Sequence, residues 1–141
     1  MVQTQILSKN QQMVFQIIEK AKGPLKAYSI LYDVQKKGIK APLQVYRALD
    51  KLLELGKIHK IESKNAFVAC KNSNCEITKA TAFSICEKCE KVTEINNSKL
   101  TNYLSNFQDT TGMKYSKYNL EFFGFCKKCK YSSLLILLSF Q

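Results

Sequence analysis

Tryptophan is absent from this chain, histidine and arginine occur once each, as His59 and Arg47, and proline occurs twice, as Pro24 and Pro42. A single histidine rules out sites built from several imidazoles. There is also no Gly-rich phosphate loop, internal repeat or low-complexity run, so no catalytic residue is nominated and the chain reads as a non-enzyme. Long apolar runs are missing too. The longest, SSLLILLSF over residues 132–140, falls well short of the roughly 20 residues a membrane-spanning helix needs. The opening MVQTQILSKNQQ has no apolar stretch of the signal-peptide kind, and the expected location is the cytoplasm. Acidic side chains are scarce, 11 against 22 basic ones, for a formal net charge of +11. Residues 1–69 hold 12 of the basic and 5 of the acidic groups. Excess positive charge in one half points to a polyanionic partner, most often nucleic acid.

Cysteine is missing from the first 69 residues, and all six occur from Cys70 onward. The first half must therefore be stabilised by an apolar core, whereas the second has metal chemistry at its disposal. Cys86-Glu87-Lys88-Cys89 and Cys126-Lys127-Lys128-Cys129 are two CxxC pairs separated by 36 residues. Two residues between cysteines let both sulfurs reach one ion, and two such knuckles supply the four thiolates of a closed tetrahedral zinc site. Cys86, Cys89, Cys126 and Cys129 are read as one structural zinc site that clamps a β-α-β-sized unit. The alternative, a pair of redox CxxC motifs, would require one of them to open a helix in a βαβ setting, and neither does.

Apolar spacing organises the rest. Met13, Val14, Ile17, Ile18 and Ala21 recur at helical intervals after Ser8, and Gly23-Pro24 stops the segment. A second helix is predicted from Ala27 to Gly38 on Ile30, Leu31 and Val34. Pro42 opens a third, with Val45, Leu49, Leu52, Leu53 and Leu55 inward and Gly56 at its end. The runs Lys57–Ser63 and Ala66–Cys70 suit an antiparallel pair around Lys64-Asn65. Three helices and a hairpin make a winged helix-turn-helix, in which the last helix enters the major groove. Its outer face offers Gln44, Tyr46, Arg47, Asp50 and Lys51, and the hairpin offers Lys60 and Lys64. Arg47 is suited to bidentate contact with guanine O6 and N7.

Beyond a polar linker, Ala82–Cys86 and Lys91–Ile95 read as strands. Residues 98–110 read as a helix carrying Leu100, Tyr103, Leu104 and Phe107, and Tyr115–Cys126 as a further strand. The fold class expected is α+β: a winged helix at residues 1–70, a linker at 71–81, and a small α/β dimerisation domain at 82–141 stapled by the four-cysteine zinc site. Tyr115, Tyr118, Phe122, Phe123 and Phe125 are assigned to its core and to a subunit interface built by sheet extension.

With Ala27-Tyr28, VYRALDKLLELG from Val45 to Gly56, HKIESKNAFVAC from His59 to Cys70, FSICEKCEKVTE from Phe83 to Glu94, and Gly124-Phe125-Cys126-Lys127-Lys128-Cys129, the chain resembles the ferric uptake regulator family, most closely its zinc uptake regulator branch. The resemblance runs from about residue 8 to residue 130. It implies a homodimeric, zinc-responsive repressor of operator DNA in which Tyr28 and Arg47 touch bases and Lys60 and Lys64 touch phosphates. It further implies a regulatory zinc at the hinge between domains, with His59, Cys70 and Glu94 at family ligand positions, hence two zinc ions per subunit. Where the family usually has a linker histidine, this chain offers Cys75, with Glu76 beside it, and thiolate is an adequate zinc donor. At the positions of an aspartate and an arginine that bridge adjacent dimers in the family, it has Tyr32 and Gln35. Rival readings are an iron- or peroxide-responsive repressor of the same family, a thiol-based redox sensor using Cys70 and Cys75, and a constitutive DNA-binding module with only structural zinc.

Overall fold

Ser8 begins the first element by closing a capping box: its Oγ accepts from the Gln11 N–H, and Gln11 Oε1 accepts from the Ser8 N–H. Two backbone donors that a helix start leaves unpaired are thereby satisfied. The computed structural model describes residues 6–71 and 80–130, and the chain divides into two compact units, Met1–Ile77 and Thr78–Gln141. Cys75, Glu76 and the apolar stretch 132–140 lie outside the described residues.

The first unit contains α1 (Lys9–Lys20), β1 (Leu25–Lys26), α2 (Ala27–Lys36), α3 (Pro42–Glu54), β2 (Ile58–Ile61) and β3 (Ala66–Ala69), with a 3-10 turn at Glu62–Lys64. Val14 and Ile18 from α1, Ile30 and Val34 from α2, and Val45, Ala48, Leu49 and Leu52 from α3 meet in one core with Ile58 and Phe67. Helices α2 and α3 end alike. Gly38 and Gly56 adopt positive φ, 103° and 66°. Their N–H groups donate to Gln35 and Leu53, and the next residues, Ile39 and Lys57, donate to Val34 and Leu52. This is the Schellman closure, and it needs a residue that tolerates left-handed backbone. It also turns Ile39 back into the core, where it is 4% exposed.

β2 and β3 form the expected antiparallel pair, His59 opposite Val68 and Ile61 opposite Ala66. β1 adds to the other side of β3, Leu25 opposite Phe67, a strand too short to announce itself in the sequence. Three helices with this three-stranded sheet constitute a winged helix-turn-helix.

The second unit runs β4 (Ala80–Cys86), β5 (Val92–Glu94), α4 (Ser98–Ser105) and β6 (Tyr118–Gly124). Its sheet has the order β5-β4-β6, with β5 antiparallel and β6 parallel to the central strand. A parallel pairing requires a long return, which α4 and the segment after it provide. Buried Phe83, Ile85 and Leu104 give this unit its apolar interior. Three elements are shorter than expected, among them β5, which spans Val92–Glu94 where the sequence predicts Lys91–Ile95. Helix α4 stops at Ser105 because the segment beyond it forms a turn in which Asp109 accepts from the N–H and hydroxyl of Thr111 and from the Tyr115 hydroxyl. Tyr115, which donates that hydrogen bond, precedes β6, which starts at Tyr118.

Candidate metal centre and nucleic-acid interface

The register of β4 and β6 assembles the four-cysteine cluster. Because these strands are parallel, with Cys86 opposite Gly124, their C-terminal ends emerge at the same side of the sheet. Each CxxC pair begins there. The first knuckle turns sharply: the Glu90 N–H donates to the Cys86 carbonyl, the Cys86 N–H to that of Lys91, and Glu90 takes φ 61°. The second is a helical turn in which the Cys129 and Lys130 N–H groups both donate to the Cys126 carbonyl.

One donor atom from each of Cys86, Cys89, Cys126 and Cys129 lies within 4.8 Å of the others, and Cys89 Sγ is 3.7 Å from Cys126 Sγ. Zinc–sulfur bonds of about 2.3 Å in a tetrahedron place sulfurs about 3.8 Å apart, so the donor set matches zinc in chemistry and in size. Cys86 and Cys129 are buried while Cys89 is exposed. The Cys126 N–H points at Cys86 Sγ from 3.3 Å. Together with the backbone of Cys89, it brings the Cys86 thiol down to about 6. Backbone hydrogen bonding at Cys129 lowers Cys126, whereas burial pushes the Cys129 thiol up to about 12.

The wing hairpin presents a second pair of donors. His59 is opposite Val68 in the ladder, and Cys70 follows two residues later, its N–H donating to the Lys57 carbonyl. Side chains alternate along strands, so His59 and Cys70 share the face opposite to Ile58 and Phe67, which enter the core. Their donor atoms are within 4.8 Å of each other. His59 is 8% exposed, the only buried polar or charged side chain among the described residues. Only the reduced thiolate of Cys70 can serve as a zinc ligand. Glu94, in the second unit, closes β5 two residues after Val92, in register with Phe83.

Helix α3 carries the residues expected to meet nucleic acid. With Val45, Ala48, Leu49 and Leu52 buried, the opposite side leaves Gln44, Tyr46, Arg47 and Asp50 exposed. Tyr28, in the first turn of α2, is 68% exposed. Lys51 is engaged by Glu54 at 2.8 Å and Lys60 by Glu62 at 3.3 Å, so each cation has an anionic neighbour that a phosphate must displace. Lys64 sits in the 3-10 turn at the wing tip, followed by Asn65 in left-handed backbone at φ 46°. Sequence reasoning passed over Leu43, which is 58% exposed on this face. Its signal was present: an apolar residue out of phase with the buried stripe of its helix.

A winged helix in a half of the chain rich in basic residues, on a chain that also holds a four-cysteine cluster of zinc-site dimensions, defines the class: a metal-binding regulator of winged-helix type. Comparisons with known proteins narrow it. The ferric uptake regulator family model matches residues 5–123. The zinc uptake regulation protein of Escherichia coli K12 is 31% identical over 117 residues, which cover 82% of this chain and 68% of that protein. The crystal structure of holo XcZur superposes with a TM-score of 0.79 at 35% identity, over 89% of this chain and 86% of that one. A zinc uptake regulator complexed with zinc and DNA gives a TM-score of 0.79 at 29% identity, over 92% of this chain and 86% of that one. The chain belongs to the ferric uptake regulator family, and within it to the zinc uptake regulator branch. It is a metal-responsive regulator of that type.

Proposed function

We propose that this protein is a cytoplasmic, zinc-responsive transcriptional repressor that binds operator DNA as a homodimer and carries two zinc ions per subunit. Cys86, Cys89, Cys126 and Cys129 hold the structural ion. His59, Cys70, Cys75 and Glu94 hold the regulatory one. The observation that carries the reading is the placement of His59 and Cys70 as neighbouring donors on one face of the wing hairpin. His59 and Cys70 belong to the wing, whereas Glu94 belongs to the α/β unit. Joined by one ion, these residues restrict the angle between DNA-binding and dimerisation domains. In a dimer that angle sets the separation of the two reading helices, which must match the half-site spacing. Zinc then raises DNA affinity by favouring the matching arrangement.

Arg47, Gln44, Tyr46 and Tyr28 are the residues assigned to bases, and Lys51, Lys60 and Lys64 to phosphates. Support comes from the exposed face of α3 and from the likeness to a relative solved with zinc and DNA. Dimer formation is supported by Phe122, Phe123 and Phe125, each about half exposed, on and just past β6, whose outer edge has no strand neighbour among the described residues. Exposed apolar groups at a sheet edge invite pairing with a second copy. Among the described residues no helix is long and apolar enough to cross a membrane.

The test is a band-shift assay across buffered zinc concentrations, using a chelator too weak to empty the four-cysteine site. Binding that appears with zinc supports the proposal, and binding indifferent to zinc overturns it. The rival reading is a thiol-based redox sensor using Cys70 and Cys75. If peroxide and thiol reductant switch DNA binding at constant free zinc, that reading replaces the first.

A further inference from the structure

We propose that Leu43 is a specificity-determining residue that reads a thymine by packing against its 5-methyl group; this rests on α3 being the helix that enters the major groove. Leu43 is the second residue of α3, after Pro42 at the first position, and the first residues of a reading helix are those that approach base edges. It is 58% exposed. The buried stripe of α3 is Val45, Ala48, Leu49 and Leu52, and Leu43 is not among the residues packed on the core. Helical spacing instead groups it with Tyr46, Arg47 and Asp50 at three, four and seven residues on, all exposed. Among the described residues, the core therefore does not use a leucine here.

The surroundings select the partner. Arg47, the only arginine in the chain, is one turn further along the same face, on a half of the molecule with a large excess of positive charge. An apolar group beside that guanidinium, on a surface complementary to a polyanion, meets one apolar feature on base edges in the major groove, the thymine methyl. One helical turn advances about 5.4 Å and one base step about 3.4 Å, so Leu43 addresses a base pair one or two steps from the one contacted by Arg47.

The experiment starts with a duplex enriched from a random pool by the full-length protein with zinc. Each thymine is then replaced by uracil, which removes only the methyl group, and affinities are measured for the wild type, Leu43→Ala and Arg47→Ala. Loss of base preference in Arg47→Ala identifies the base pair that Arg47 reads. The wild type is expected to lose affinity about four-fold, the worth of one buried methyl group, at one thymine per half-site, one or two base pairs from that position. Leu43→Ala is expected to bind the thymine duplex more weakly by a similar factor and to be indifferent to uracil there. A wild type indifferent to uracil at every position, or a Leu43→Ala protein that keeps the thymine preference, overturns the proposal while leaving DNA binding intact. If Leu43→Ala changes the oligomeric state and leaves DNA binding unchanged, Leu43 belongs to a protein interface and the proposal is likewise overturned. Failure to enrich any duplex sinks the DNA-binding reading and this inference together.

Discussion

Cys86 and Gly124 face each other at the end of the parallel β4–β6 pair, and that register brings two CxxC knuckles 36 residues apart to one point. In the proposed structural site, zinc at this point would close the sheet and its crossover into a loop that a modest apolar interior would otherwise hold alone. Structural zinc sites contribute about 10–16 kcal/mol in small zinc-dependent domains, as much as the whole stability of an ordinary one. Cys126→Ser is therefore expected to lose one zinc ion per chain and to unfold the second unit. The first unit, with its own core, is expected to keep its helical circular dichroism. A variant that binds the full complement of zinc and melts like the wild type would refute the structural role.

Arg47 and Lys64 separate base reading from phosphate binding. Arg47→Ala is expected to cost about 1–3 kcal/mol on the preferred duplex and to relax the preference at one position per half-site. Lys64→Ala is expected to weaken binding equally on all sequences and to reduce the salt slope by about one for each phosphate no longer neutralised. Affinity measured against salt on matched and mismatched duplexes distinguishes the two.

Leu52 has no exposed surface and lies where α3 meets the core. Leu52→Ala is expected to destabilise the first unit by about 2–5 kcal/mol, read as a lower denaturant midpoint at unchanged slope. Zinc content at the four-cysteine site should not change.

Asp109 hydrogen-bonds the Tyr115 hydroxyl, and this carboxylate raises the Tyr115 pKa above its usual value near 10. A group raised in the folded state stabilises it below the unfolded pKa, so this contribution is present up to about pH 10 and lost as pH climbs through the folded value. Ultraviolet titration of the seven tyrosines should show one late component that disappears in Asp109→Asn. Its persistence in the variant would assign the late tyrosine elsewhere.

How much of this was legible before the fold was known depends on how local each signal is. The buried stripe of α3, the proline at its start and the glycine at its end are contained within about four turns, and they were read from residues alone. The two CxxC pairs were legible because zinc chemistry fixes their spacing. β1 was not, since two residues carry no period and only pairing with β3 makes them a strand. Nor was the end of α4, where Leu104 and Phe107 continue a helical pattern that the hydrogen bonds of Asp109 to Thr111 and Tyr115 override. Leu43 was missed because attention to inward apolar residues hides an outward one. For the regulatory site, spacing alone did not nominate Glu94; family resemblance did.

The most direct test counts zinc and measures DNA affinity on the same samples of wild type and His59→Ala, with the four-cysteine site kept loaded throughout. We expect the wild type to take up a second zinc ion per chain and to gain DNA affinity as free zinc rises, and His59→Ala to hold one ion and bind DNA weakly at every zinc concentration. A His59→Ala protein that still binds two ions and responds to zinc like the wild type would contradict the proposed regulatory site.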